Sequence, residues 1–108
     1  MTTRLLILLA SLCFAAPAWA VTAVVTWTPS PESDVVKYRL YRDTGSPCTT
    51  NSQLLTEILA PNTQYVDQGI DSTKYYCITA VDAVGQESIV SSTATATYPS
   101  TVQVHCEP

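Results

Sequence analysis

Histidine, basic side chains and glycine are all scarce in this chain of 108 residues, which holds one histidine, five lysines and arginines and three glycines. Each scarcity removes a class of function. His105 stands near the C-terminus, and no second histidine in the body of the chain can serve a Ser-His-carboxylate relay with Ser88, Ser91 or Ser92. With Cys106 and Glu107 it makes half of a metal site, whereas tetrahedral zinc needs about four ligands held in place. It reads as a solvated tail residue, and no metal or cofactor is expected. The basic residues form no patch able to neutralise a phosphate backbone, which argues against nucleic acid as a partner. Asp43-Thr44-Gly45-Ser46 is an ordinary turn, because it lacks the glycine spacing and the lysine of a phosphate cradle.

Long apolar runs are missing too, except at the start. Arg4 precedes Leu5-Leu6-Ile7-Leu8-Leu9-Ala10-Ser11-Leu12-Cys13-Phe14, and Ala18-Trp19-Ala20 then has the small-x-small spacing of a signal-peptidase site. Residues 1–20 are therefore read as a signal peptide, with a secreted or periplasmic destination. Bulky Leu12 ahead of Cys13 stands where a lipid-linked leader wants a small residue. No later segment approaches 18 apolar residues, so no membrane insertion is expected after cleavage. Residues 21–108 suit one small domain with a modest core. Losing Arg4 leaves Lys37, Arg39, Arg42 and Lys74 against nine acids, one unit more negative than the formal −4 of the whole chain. That acidity favours solubility and says little more.

What remains is rich in Val, Thr, Tyr and Ile, in short runs broken by Pro, Gly, Asp and Ser. Residues 21–27 alternate, with Ala23, Val25 and Trp27 on one face, and Pro29 and Pro31 stop the run because they deny ladder hydrogen bonds. Residues 36–42 place Val36, Tyr38 and Leu40 opposite Lys37, Arg39 and Tyr41. Residues 53–58 fit a helical turn as readily as a strand. Gln64-Tyr65-Val66 is a brief strand, followed by a turn at Asp67-Gln68-Gly69. Residues 74–81 set Tyr76, Ile78 and Ala80 against Tyr75, Cys77 and Thr79, and Asp82–Glu87 reverses the chain with Gly85 suited to positive φ. Thr93–Tyr98 returns with period two. Half-apolar strands in so short a chain hide their faces against one another, which implies an all-β, two-sheet sandwich.

Val25-Thr26-Trp27-Thr28-Pro29-Ser30, Tyr38-Arg39-Leu40-Tyr41-Arg42, Tyr65-Val66-Asp67-Gln68-Gly69-Ile70 and Tyr75–Asp82 with Gly85-Gln86-Glu87-Ser88 occur in an order and spacing that resemble bacterial secreted fibronectin type III domains. They look like the second, third, fifth and sixth strands of that immunoglobulin-like sandwich, and the similarity covers residues 21–98. The resemblance implies fold and not function, since the scaffold serves unrelated tasks. Two departures stand out. The family's first strand has no counterpart, because only six residues separate Ala20 from Trp27, and this implies an open edge beside residues 21–27. Lys74 stands where the family commonly has the tyrosine of a corner hydrogen bond, a role that falls in part to Tyr75 or Tyr76.

Export takes Cys48, Cys77 and Cys106 to an oxidising compartment, where an odd number leaves one thiol over. In the fold this chain resembles, the third and sixth strands are antiparallel neighbours, which implies a Cys48–Cys77 disulfide. Cys106 is then a free thiol or the site of a bond between chains. Thr101–His105 alternates like a strand, so the tail at residues 99–108 either folds back beside residues 91–97 or covers the open edge at residues 21–27, in its own chain or a neighbouring copy. Among the carboxylates, Asp67, Asp71 and Asp82 read as turn caps, and Glu32, Asp34, Glu57, Glu87 and Glu107 have no deep cleft in which to work as a glycosidase pair. No catalytic residue is assigned. Trp27, Tyr38 and Tyr76 are core candidates, whereas Arg39, Tyr41 and Tyr75 fall on an outer sheet face and are the candidate surface contacts. The expectation is a non-catalytic extracytoplasmic binding or scaffolding module, whose partner is another extracytoplasmic protein or a cell-surface component, with self-association through the open edge as a further route. The alternatives are a weak carbohydrate-binding module and a structural subunit of a surface assembly. A small hydrolase is set aside for want of a cleft.

Overall fold

The computed structural model describes residues 21–99 and 103–107; the leader expected over residues 1–20 lies outside them. Seven strands follow in order: β1 (Val21–Trp27), β2 (Val35–Asp43), β3 (Gln53–Leu59), β4 (Gln64–Ile70), β5 (Lys74–Asp82), β6 (Ala94–Ala96) and β7 (Gln103–Cys106). They form an all-β, two-sheet sandwich, with one sheet ordered β4-β1-β7 and the other β3-β2-β5-β6. Every pairing is antiparallel except β1 with β7, which run parallel.

The period-two pattern accounts for the core. Ala23, Val25 and Trp27 of β1 meet Tyr38 and Leu40 of β2, Tyr76 and Ile78 of β5, Ala94 and Ala96 of β6, and Val104 and Cys106 of β7 in a single cluster. Burial of a side chain such as Leu40 or Val25 contributes about 1.5–3 kcal/mol. Trp27 and Tyr38 cross with ring centroids 5.6 Å apart at 57°, a tilted contact that joins the two sheets.

Residues 53–59 resolve as strand, because they pair with β2 from Arg42↔Gln53 to Lys37↔Leu59. The turn expected at Asp67-Gln68-Gly69 is instead the second half of β4. Asp67 and Ile70 pair with Ala23 and Val21, so β4 carries one extra residue there. That bulge uses Gly69 at φ 74° and keeps Ile70 facing inward; Asp67, paired with Ala23 on the inner face, is 5% exposed, so this aspartate is no turn cap. Asp82 does cap its turn: its Oδ1 accepts from the amides of Val84 and Gln86 at 3.0 and 2.8 Å.

The tail occupies the edge of β1 in its own chain. β7 pairs from Val24↔Gln103 to Trp27↔Cys106 and buries Val104 and Cys106, so the edge of β1 is covered and the sheet ends instead on a strand of four residues. Its end is tied to the other sheet, since Ser92 donates both its amide and its hydroxyl to the carbonyl of Glu107 at 2.9 Å. His105 is a β7 residue held by neighbours. Its Nδ1 lies 2.8 Å from the Thr26 hydroxyl and its Nε2 2.9 Å from Glu107 Oε2.

Candidate binding surface

The outer face of the four-stranded sheet carries the residues that sequence singled out. Arg39 on β2 stands opposite Glu57 on β3 and reaches it through Nε at 2.8 Å, while Lys37 takes the other carboxylate oxygen at 3.1 Å. Arg39 Nη1 also reaches Glu87 Oε1 at 3.2 Å. The second Glu87 oxygen accepts from the hydroxyls of Tyr41 and Thr79. Hydrogen bonding from Arg39 and then Lys37 holds the Glu57 carboxyl below its ordinary value. At Glu87 desolvation pushes upward, but the bonds from Thr79, Tyr41 and Arg39 outweigh it and hold the carboxyl low as well. Both acids are thus fixed as carboxylates within an ion-pair network.

Arg39 and Tyr41 are therefore brought together, but as members of an internal network. Tyr41 is 5% exposed and cannot act as a surface contact. The reason is the loop after β2. The structure joins Cys48 to Cys77 with their Cα atoms 5.7 Å apart, and this bond folds the Gly45–Ser52 segment over the end of the sheet. Tyr41, Cys48 and Cys77 form a small second core, with Tyr75 and Val90 packed against it. Tyr75 remains half-buried. Cys106 is a free thiol with no exposure, so a bond to a neighbouring chain requires β7 to detach first.

The feature that sequence reasoning missed lies between β5 and β6. Ser88 and Ser91 each pair with β5 twice over: their amides donate to the carbonyls of Ala80 and Ile78 at 2.8 and 2.9 Å, and their hydroxyls accept from the amides of the same two residues at 2.9 and 3.0 Å. Hydroxyls thus replace carbonyls in the ladder. Val81 pairs with Glu87, Ile78 meets Ser91 and Tyr76 pairs with Ala94, so the returning chain carries two extra residues. The excess pushes Ile89 outward to 93% exposure, with Val90 beside it. The signal was present in Ser88-Ile89-Val90-Ser91, since adjacent apolar residues between serines break the alternation of a regular strand.

This displaced segment and the β1–β2 loop wall an open, largely apolar groove of about 290 Å³, lined by Trp27, Pro31, Tyr38, Ile78, Ile89 and Val90. The indole Nε1 of Trp27, itself 3% exposed, has no hydrogen-bond partner among the described residues. The arrangement can take an apolar side chain. Among the described residues no group of three or more His, Cys, Asp or Glu side chains is placed to hold a metal ion. Compared with models of known families, with curated proteins and with solved structures, the chain finds no match.

Proposed function

We propose that the chain is an exported, non-catalytic binding module of fibronectin type III kind that docks another extracytoplasmic protein. The observation that carries this reading is the apolar groove beside Ile89. A large aliphatic side chain at 93% exposure, next to an open cleft, has no role in holding the sandwich together, and such patches mark interaction sites. The family assignment draws support from the antiparallel β2–β5 pairing and from Trp27 in the core. Placement of β7 where the family has its first strand is a departure from it. Export is supported by the small-x-small site at Ala18-Trp19-Ala20 and by a disulfide, a bond that persists in oxidising compartments.

Proximity labelling in the native cell tests the reading. The expected result is one or a few extracytoplasmic proteins tagged by the wild-type chain and lost with Ile89→Asp, a substitution at an exposed site that leaves the core intact. Turnover of a substrate by the purified chain, with no labelled partner, would overturn it.

A further inference from the structure

Resting on the reading of the chain as a protein-docking module, we propose that the groove binds an extended segment of a foreign protein, one that presents a large apolar side chain and, two residues along, a lysine or arginine. The apolar cleft does not end at Ala80. It continues into a second cavity of about 360 Å³, and the two share Ser30, Glu32, Ala80 and Ser88 in their walls. The second cavity changes character, for Glu32, Asp34, Asp82 and Glu87 line it and no basic residue does. Glu87 is matched by Arg39, whereas Glu32, Asp34 and Asp82 make no ion pair among the described residues. One groove therefore runs from an apolar end to an anionic end.

Its pitch is that of a strand. From β5 the apolar cavity takes Ile78, Thr79 and Ala80 and the acidic one Ala80 and Asp82, so along the alternate set 78, 80 and 82 the two cavities are successive positions two residues apart. Two residues of extended chain span about 7 Å, so a partner strand places side chains i and i+2 in the two cavities. A main-chain anchor lies alongside. Among the described residues the amides of Ile89 and Val90 donate to no other group, as the doubled serine bonds have lifted them off β5. Strand addition at such an edge supplies affinity through the backbone, while the pockets choose the side chains.

Charge separates a foreign partner from a second copy. The chain is acidic overall, and Lys37, Arg39 and Arg42 are each engaged with their own acids, which leaves Lys74 as the one unpaired lysine or arginine among the described residues. A copy of this chain offers no apolar-x-basic strand at an edge, because Lys74 begins a strand at the middle of its sheet.

A random dodecapeptide library displayed on phage, panned against the protein exported and purified from a bacterial host, tests the proposal. Enriched sequences are expected to share an apolar-x-Lys/Arg pattern. A synthetic peptide of that sequence should lose about tenfold or more in affinity when its basic residue becomes Glu, when the protein carries Ile89→Asp, or when it carries Asp34→Lys. Its binding should also weaken with added salt. Ile89 and Asp34 are both exposed, and unchanged thermal midpoints will verify that these variants fold. Enrichment without that pattern, binding indifferent to both protein variants, no enrichment, or an Ile89-dependent dimer without peptide each overturns the proposal. A native partner whose labelling survives Asp34→Lys but not Ile89→Asp overturns the cation preference alone and leaves the docking function standing.

Discussion

The hydroxyl of Tyr76 donates to Oδ2 of Asp67 across 2.6 Å, and that bond passes from one sheet to the other. Arg42, from the same sheet as Tyr76, closes on both oxygens of Asp67 at 3.1 and 2.9 Å. A buried carboxylate is thus matched from the opposite sheet by one phenol and one guanidinium. Replacing Asp67 by Ala leaves both donors unmatched and should cost about 3–5 kcal/mol. Tyr76→Phe, which keeps the ring and the ion pair, should cost about 1.5–3 kcal/mol. Urea unfolding of the two variants checks the order; equal losses would mean that the Arg42 pair adds nothing beyond the phenol bond.

The same bond sets the response to alkali. Burial, followed by the bond to Asp67, raises the Tyr76 pKa above the ordinary 10.0, and burial followed by the bond to Glu87 raises that of Tyr41. Both groups keep their protons longer folded than unfolded. Their contribution is complete below pH 10 and is lost as pH rises above it, where the unfolded chain ionises first. Tyr76 should lower stability by about 1.4 kcal/mol per pH unit over that window, and Tyr41 acts in the same direction. Unfolding midpoints between pH 8 and 11.5 should stay level and then fall, and Tyr76→Phe should make the fall shallower.

Removing the disulfide should be felt as strongly as removing Asp67. Cys48 and Cys77 are 29 residues apart, and closing a loop of that size stabilises by about 3.5 kcal/mol in the chain-entropy account. The paired Cys48→Ala, Cys77→Ala variant should shift the guanidinium midpoint accordingly and release the cover over Tyr41, visible as a more accessible tyrosine. Peptide mapping without reductant should recover Cys48 joined to Cys77; a Cys48–Cys106 peptide would contradict the pairing.

Much of the sandwich could be read in advance because the physics there is local. Alternation alone places Trp27, Tyr38 and Tyr76 in the core, and they are buried. Residues 53–58 are ambiguous in sequence because Leu54, Leu55 and Ile58 suit either period, and only pairing with β2 decides between them. Asp67 looked like a turn residue since Gly69 follows it, yet that glycine serves a bulge whose register depends on β1, some forty positions earlier in the chain. Tyr41 sits on the outer phase of its strand as the pattern implies, and what buries it is a loop brought over by a bond to Cys77. The groove was least legible, because it needs two loops distant in sequence to face each other across Ala80.

Cys106 makes a built-in reporter for the last strand. Burial, opposed in part by a bond from Ser91, pushes its thiol up to about 12, so at neutral pH it holds about a thousandfold less thiolate than an ordinary cysteine. Alkylation should be slow in the native protein and fast in urea. Val104→Asp, which places a charge in the core beneath β7, should restore rapid alkylation at low urea without breaking the Cys48–Cys77 bond. Fast labelling of the unaltered native chain would mean that β7 is not docked.

The parallel pairing of β1 with β7 also decides how the molecule bears load. Because the two strands run the same way, a pull on Val21 and an opposite pull beyond Cys106 slide them past each other along their length. The rungs from Val24↔Gln103 to Trp27↔Cys106 then share the force at once, where a hairpin pulled from its open end would unzip one rung at a time. The same geometry sends the two ends of the strand pair to opposite poles, with the groove at the pole of Trp27. A chain drawn taut between those two ends would keep that groove at one pole while the whole strand pair resists together.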